Sequence, residues 1–191
     1  MGSDNYLKYA RGDGGYWSFG LNDVGTFVVL SPGSVSASLT QTSSCVLLKF
    51  LNGEQRQFSL ATGLLTAIVD RNGNTTQLTY DGFNRLSTVA DPAGRHLYFN
   101  YPNDSSLLVN SVTSDFGVTL SYFYDAQGRL TQVTKPDQTT ISYTYNAQSQ
   151  IVQVTDSNGK VLESHTYDSS GRGLTSSEAN GVNSLSVTYP Q

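Results

Sequence analysis

The sequence predicts an all-β repeat protein built as an antiparallel ribbon of hairpins, and three observations predict it. Tyr80, Tyr101, Tyr124, Tyr145, Tyr167 and Tyr189 follow one another at 21, 23, 21, 22 and 22 residues. A period near 22 marks a small supersecondary unit stacked many times. The residues before these tyrosines alternate in polarity, as in Thr76-Gln77-Leu78-Thr79-Tyr80 and Thr140-Ile141-Ser142-Tyr143-Thr144-Tyr145, which is the period of a strand with one buried face. Helical periodicity is absent, and turn-forming residues punctuate the alternating stretches.

Taken in chain order, Met1-Gly2-Ser3 has the form of a cloning remnant. The glycine-rich Arg11-Gly12-Asp13-Gly14-Gly15 predicts a loop before an aromatic strand at Tyr16, Trp17 and Phe19. Residues 26–30 and 45–50 have strand composition and flank a Ser/Thr-rich loop expected over 31–44. Residues 1–48 thus form a strand-rich segment leading into the array. Gly53 precedes Gly73 by 20 residues and Phe58 precedes Tyr80 by 22, so the array begins in degenerate form near Lys49. It occupies residues 49–191 as about six units, the last one truncated.

Each unit is strand, turn, strand, turn. Asp81, Asp125, Asn146 and Asp168 stand directly after the tyrosine, where an Asx side chain accepts a hydrogen bond from the backbone two residues on. Gly128 and Gly171, with Asn84 at the matching site, supply the positive φ of a type I turn closed by a bulge. The second strand carries apolar residues three apart: Leu65 and Ile68, Leu86 and Val89, Leu130 and Val133, Ile151 and Val154. Strict alternation would split each pair between faces, so a β-bulge is expected to re-aim one of them. A second turn ends on Gly73, Gly94, Gly117, Gly159 or Gly181, with Lys135-Pro136-Asp137-Gln138 in the same slot. Connections this short leave only antiparallel neighbours. About twelve strands spaced about 4.8 Å apart would make a ribbon about 55 Å wide, and such a sheet must twist and curl. One face should carry the tyrosines and aliphatics, the other threonine and glutamine.

Composition excludes several functions. Charged residues are 14% of the chain and the formal net charge is −4, which argues against nucleic acid as a partner. Cys45 is the sole cysteine, so there is no intrachain disulfide or cysteine metal cluster, and cysteine usage fits either a reducing or an oxidising compartment. No apolar run approaches the roughly 18 to 20 residues of a membrane span, so this segment is not expected to insert, and no secretion signal opens it. The last unit stops at Tyr189-Pro190-Gln191 in mid-repeat, as a piece of a longer protein would.

Tyr80-Asp81-Gly82-Phe83-Asn84-Arg85-Leu86, Tyr124-Asp125-Ala126-Gln127-Gly128-Arg129-Leu130 and Tyr167-Asp168-Ser169-Ser170-Gly171-Arg172 share one plan, followed by an Asp-x-x-Gly turn. This pattern resembles the YD repeats of the Rhs family, which includes bacterial Rhs and wall-associated proteins, Tc toxin C components and the teneurins. The resemblance covers residues 58–190 well and 49–57 weakly. It implies a β-ribbon spiralling into a large hollow shell, which in bacterial members encloses a toxic or variable C-terminal polypeptide. Six units are too few to close such a shell, leaving a curved, open strip with two sheet edges that invite edge-to-edge self-association. Self-cleaving members of the family cut at a core motif after their repeats. Asp91-Pro92-Ala93-Gly94 only echoes that motif and occupies an ordinary repeat turn.

His96 and His165 sit in no metal-ligand spacing. The turn aspartates could hold metal or act as acids, but turn geometry already accounts for their type and spacing. The Asp-x-Asn-Gly turns at 70–73 and 156–159 lack the further ligands of a calcium loop. Arg85, Arg129 and Arg172 share one register; they form an anion-binding strip or, more simply, pair with Asp81, Asp125 and Asp168, each exposed pair adding under about 1 kcal/mol. No catalytic, cofactor or metal residue is expected. The expected function is a non-enzymatic stretch of shell in a secreted or cell-surface bacterial protein, its partners the rest of the parent polypeptide and an enclosed cargo. The alternative is a surface adhesion or carbohydrate-binding module, in which exposed tyrosines hold glycans or cell-surface proteins.

Overall fold

A computed structural model describes residues 6–24, 26–33, 37–178 and 181–190. Met1-Gly2-Ser3, expected to be a cloning remnant, and residues 179–180 of the turn expected before Gly181 lie outside the described residues. Eighteen strands and no helix longer than an isolated turn appear among those residues. The chain forms two compact units, Met1–His96 and Leu97–Gln191.

The first unit holds two layers. β1 (Tyr6–Ala10), β2 (Tyr16–Leu21) and β3 (Phe27–Ser31) form an antiparallel three-stranded sheet. β4 (Ala37–Gln41), β5 (Cys45–Phe50), β6 (Gln55–Ser59), β7 (Leu65–Val69), β8 (Thr75–Tyr80) and β9 (Leu86–Ala90) pair antiparallel in chain order. Phe19, Leu39, Val46 and Leu48 are buried together, ringed by Tyr9, Trp17, Phe27, Phe50 and Phe58. Tyr9 packs edge-on against Phe50 and Phe58, a favoured geometry for aromatic quadrupoles. Gly20 lies beneath the Leu30 side chain, and a Cβ on it, 2.9 Å from Leu30 Cδ1, would push that exposed side chain aside.

Two elements depart from expectation. The segment 31–44 is not one loop, since β4 runs through it, and β1 was not foreseen. Ala37-Ser38-Leu39-Thr40-Gln41 places Leu39 alone on the buried side, and a single inward apolar residue is too short a pattern to distinguish from loop.

The second unit is one antiparallel meander: β10 (His96–Asn100), β11 (Ser111–Ser114), β12 (Thr119–Tyr124), β13 (Leu130–Thr134), β14 (Thr140–Tyr145), β15 (Ile151–Asp156), β16 (Val161–Tyr167), β17 (Gly173–Glu178) and β18 (Val182–Ser186). Among the described residues β18 pairs with β17 alone, so that edge of the sheet is open.

The expected bulge lies where the apolar spacing puts it. Tyr124 pairs with Leu130 but Phe123 pairs with Gln132, leaving Thr131 as the extra residue. The same shift recurs between Thr79 and Tyr80, Thr144 and Tyr145, and Thr166 and Tyr167. Leu130 then faces Tyr124 and Val133 faces Tyr122, so all four lie on one side of the sheet. The opposite side pairs Ser121 with Thr134, Ser142 with Thr155, and Ser164 with Ser177. The tyrosine face and the hydroxyl face are thereby separated by register alone.

Candidate functional site

The residues singled out by the repeat converge on stitching between strands. The β13–β14 ladder runs from Thr134↔Thr140 to Gln132↔Ser142 and stops short of Leu130. The Tyr145 hydroxyl donates to the Leu130 carbonyl at 2.7 Å, beyond the last rung. Tyr80 does the same for Leu65 at 2.7 Å, Tyr124 for Val109 at 2.9 Å, Tyr167 for Ile151 at 2.7 Å and Tyr189 for Gly173 at 3.0 Å. Leu65, Leu130, Ile151 and Gly173 are the residues paired with Phe58, Tyr124, Tyr145 and Tyr167. Tyr80, Tyr145, Tyr167 and Tyr189 therefore fasten the bulge of the preceding unit, supplying a partner to a carbonyl that would otherwise lack one on that side, while Tyr124 fastens the irregular stretch before β11 instead. Burial raises the pKa of the Tyr80 and Tyr124 phenols, Tyr122 contributing at the latter. Tyr101 departs from the plan: it follows β10 and enters the irregular stretch 101–110.

The turns carry the second set of contacts. Asp125 Oδ1 accepts from the amides of Gln127 (3.0 Å) and Arg129 (2.9 Å), and Oδ2 accepts from Arg129 Nε at 2.7 Å. Asp81 with Arg85 and Asp168 with Arg172 repeat this arrangement. Asn146 keeps the amide contacts and replaces the ion pair by a bond from its Nδ2 to Gln150 Oε1 at 2.9 Å. The Arg129 and Arg172 backbone amides, followed by the guanidinium contacts, hold the Asp125 and Asp168 carboxyls below the usual carboxylate range against the opposing effect of burial. Gly73, Gly94, Gly117, Gly128, Gly159, Gly171 and Gly181 all have positive φ, joined by Asn84, Gln138 and Ser149. At Gly128 the angle is 77°, the left-handed conformation that L side chains resist.

Each turn also holds the next. The Arg129 guanidinium lies 4.8 Å from the centroid of the Tyr145 ring, and its Nη1 donates to the Asn146 carbonyl at 3.4 Å and Ser149 Oγ at 3.3 Å. Gln150 Nε2 donates to the Gly171 carbonyl at 2.7 Å. Arg172 stacks 4.3 Å from the Tyr189 centroid. Cation–π contacts of this kind contribute about 0.5–1 kcal/mol at exposed sites.

Sequence reasoning missed Asp91–Arg95, which repeats the turn pair with Arg95 Nε donating to Asp91 Oδ2 at 2.6 Å; the shared spacing of four residues was the available signal. It also missed the Tyr9 hydroxyl bonded to Arg56 Nη1, 47 residues away, for which no local signal exists. His165 Nε2 lies 3.4 Å from Glu163 Oε2. Among the described residues no group of three potential ligands is placed to hold a metal ion, and no helix is long and apolar enough to cross a membrane.

Comparison with known proteins gives the same picture. The RHS Repeat family matches residues 60–96, 104–140 and 124–161. No curated protein matches the chain. Among solved structures, the TcdB2-TccC3-Cdc42 crystal structure aligns over 96% of this chain and 11% of its own at 15% identity and a TM-score of 0.52. TcdB2-TccC3 aligns over 84% and 10% at 12% identity and 0.50. The Tc holotoxin pore of Photorhabdus luminescens aligns over 84% and 10% at 11% identity and 0.50. The chain thus spans about a tenth of the length of these similar chains. Over residues 60–96 and 104–161, where the RHS Repeat matches lie, the chain belongs to the Rhs/YD-repeat family.

Proposed function

We propose that this chain is a non-enzymatic stretch of β-shell in a larger secreted or cell-surface bacterial protein, walling off a cargo polypeptide carried by the same parent. The observation that carries this reading is the use made of the chemistry-bearing side chains. The Tyr124, Tyr145 and Tyr167 hydroxyls, the Asp125 and Asp168 carboxylates and the Arg129 guanidinium are engaged with neighbouring strands and turns. An array whose polar side chains join unit to unit can be extended without limit, which suits a wall. Residues 1–48 serve as the leading segment and 49–191 as the array proper. One of the structures it resembles is a Tc holotoxin pore, in keeping with a cargo that must be kept from its surroundings. The glycan reading loses support at these tyrosines, because their hydroxyls already donate to carbonyls.

The test is to sequence the parent gene on both sides and to digest its full-length product with a non-specific protease. Many further repeats followed by an unrelated protease-resistant domain, made susceptible by Tyr124→Ala, support the shell. A short array ending in a wall anchor, with no protected segment, refutes it.

A further inference from the structure

The tip of the β1–β2 hairpin carries a docking loop that is independent of the shell reading. We infer that Arg11-Gly12-Asp13 binds a cell-surface receptor through two contacts at once. The Asp13 carboxylate completes the coordination of a divalent cation held by the receptor, and the Arg11 guanidinium enters an acidic cleft beside it.

The loop distributes its charges unlike the array turns. Asp81, Asp91, Asp125 and Asp168 each open a turn, accept two backbone amides and bind the arginine four residues on. Here Arg11 opens the turn, its carbonyl accepting from Gly14 N at 3.2 Å, and Asp13 stands at the tip. Asp13 Oδ1 accepts from Gly15 N at 3.0 Å and Oδ2 pairs with Arg11 Nη2. The two side chains are 40% and 53% exposed, so water screens their attraction and the pair opens at little cost. The Arg11 guanidinium also lies 5.3 Å from the Trp17 ring centroid, which limits how far this long side chain strays from the hairpin.

Gly12 is the second observation. Its φ lies outside the left-handed region, and a Cβ on it would meet no non-neighbouring atom within 4 Å. Gly14, at a φ of 81°, is by contrast needed by the turn. A glycine that the fold does not use, exposed between two charged residues, fits a backbone that another molecule must approach closely.

Charge selects the partner. A lysine or arginine of the partner would offer the Asp13 carboxylate no more than Arg11 already does, so that exchange gains nothing. A divalent cation carries twice the charge and takes carboxylate oxygens directly. The displaced guanidinium then requires a carboxylate of its own. The receptor therefore presents a cation with an open coordination position next to an acidic cleft.

The experiment immobilises the 191-residue chain and uses as probe the soluble ectodomain of an integrin that recognises Arg-Gly-Asp, a receptor class with both features. Saturable binding is expected in manganese, lost in EDTA and displaced by a short Arg-Gly-Asp peptide. Gly12→Ala should weaken binding at least tenfold with Tm unchanged or raised. Asp13→Glu, which keeps the charge but moves the carboxylate out by one methylene, should weaken it to a similar degree. No binding at all overturns the proposal, as does equal binding by the parent and Gly12→Ala. Binding that survives EDTA overturns it in favour of charge pairing alone. Loss of binding in Gly12→Ala together with a lowered Tm assigns that glycine to the fold and overturns it as well.

Discussion

Tyr124 shows what one residue contributes. Its hydroxyl bonds the Val109 carbonyl at 2.9 Å and its ring lies half-buried beside Leu130. Tyr124→Phe should lower stability in urea titration by about 1 kcal/mol, the net worth of one hydrogen bond with the carbonyl left behind. Tyr124→Ala should cost about 2–3 kcal/mol, less than a fully buried aromatic because solvent already reaches the ring. Equal stability of Tyr124→Phe and the parent would remove the staple from the account. Acid should act through the turn aspartates. The Asp91, Asp125 and Asp168 pKa values are lowered in the folded chain, so the unfolded chain binds protons more readily. Their stabilisation is present above the ordinary aspartate value of about 3.9 and is lost as pH falls through the lower folded values. Tm should hold from pH 7 to about 5 and drop below about pH 4, and Asp125→Asn should make that drop shallower. A decline already complete at pH 5 would contradict this.

At the scale of the element, the hairpin turn and its bulge do most of the specifying. Gln138 occupies the position held by glycine in the neighbouring turns, at a φ of 67°. Gln138→Gly should raise Tm, adding about 0.5 kcal/mol after the entropy cost of glycine is set against the relieved left-handed strain. Gly128→Ala should do the reverse by about 1 kcal/mol, since the nearest atom to the new Cβ, Leu108 Cδ1 at 3.6 Å, is in ordinary contact. A neutral or stabilising Gly128→Ala would mean that the turn tolerates another conformation. Deleting Thr131 removes the extra residue opposite Phe123 and Tyr124, so either Leu130 or Val133 must leave the tyrosine face. Loss of cooperative melting is the expected result.

For the whole molecule, the relevant unit is two strands. Removing residues 125–145 joins Tyr124 to Asn146 and takes out one full spacing of 21 residues. The β-type circular dichroism and a cooperative melt should survive, because each unit contacts mainly its neighbours. Removing only 125–134, one turn and β13, reverses the direction of every later strand and should abolish the melt. Similar behaviour of the two deletions would show that the array is not modular.

The sequence by itself determined the period, the antiparallel order, the left-handed turn positions and the bulge. The turn and the bulge are each written within about ten residues, Asp125 with Gly128 encoding the turn and Leu130 with Val133 the bulge, and the period is their recurrence. Only the tertiary structure decided which carbonyl each tyrosine takes, that Arg129 reaches past its own turn to Asn146 and Ser149, and that β1 and β4 exist at all. The tyrosine and arginine contacts join residues 15 to 20 positions apart, and the bond of Tyr9 on β1 to Arg56 spans 47. Several registers would satisfy the same alternation, and burial around Phe19 and Leu48 selects among them.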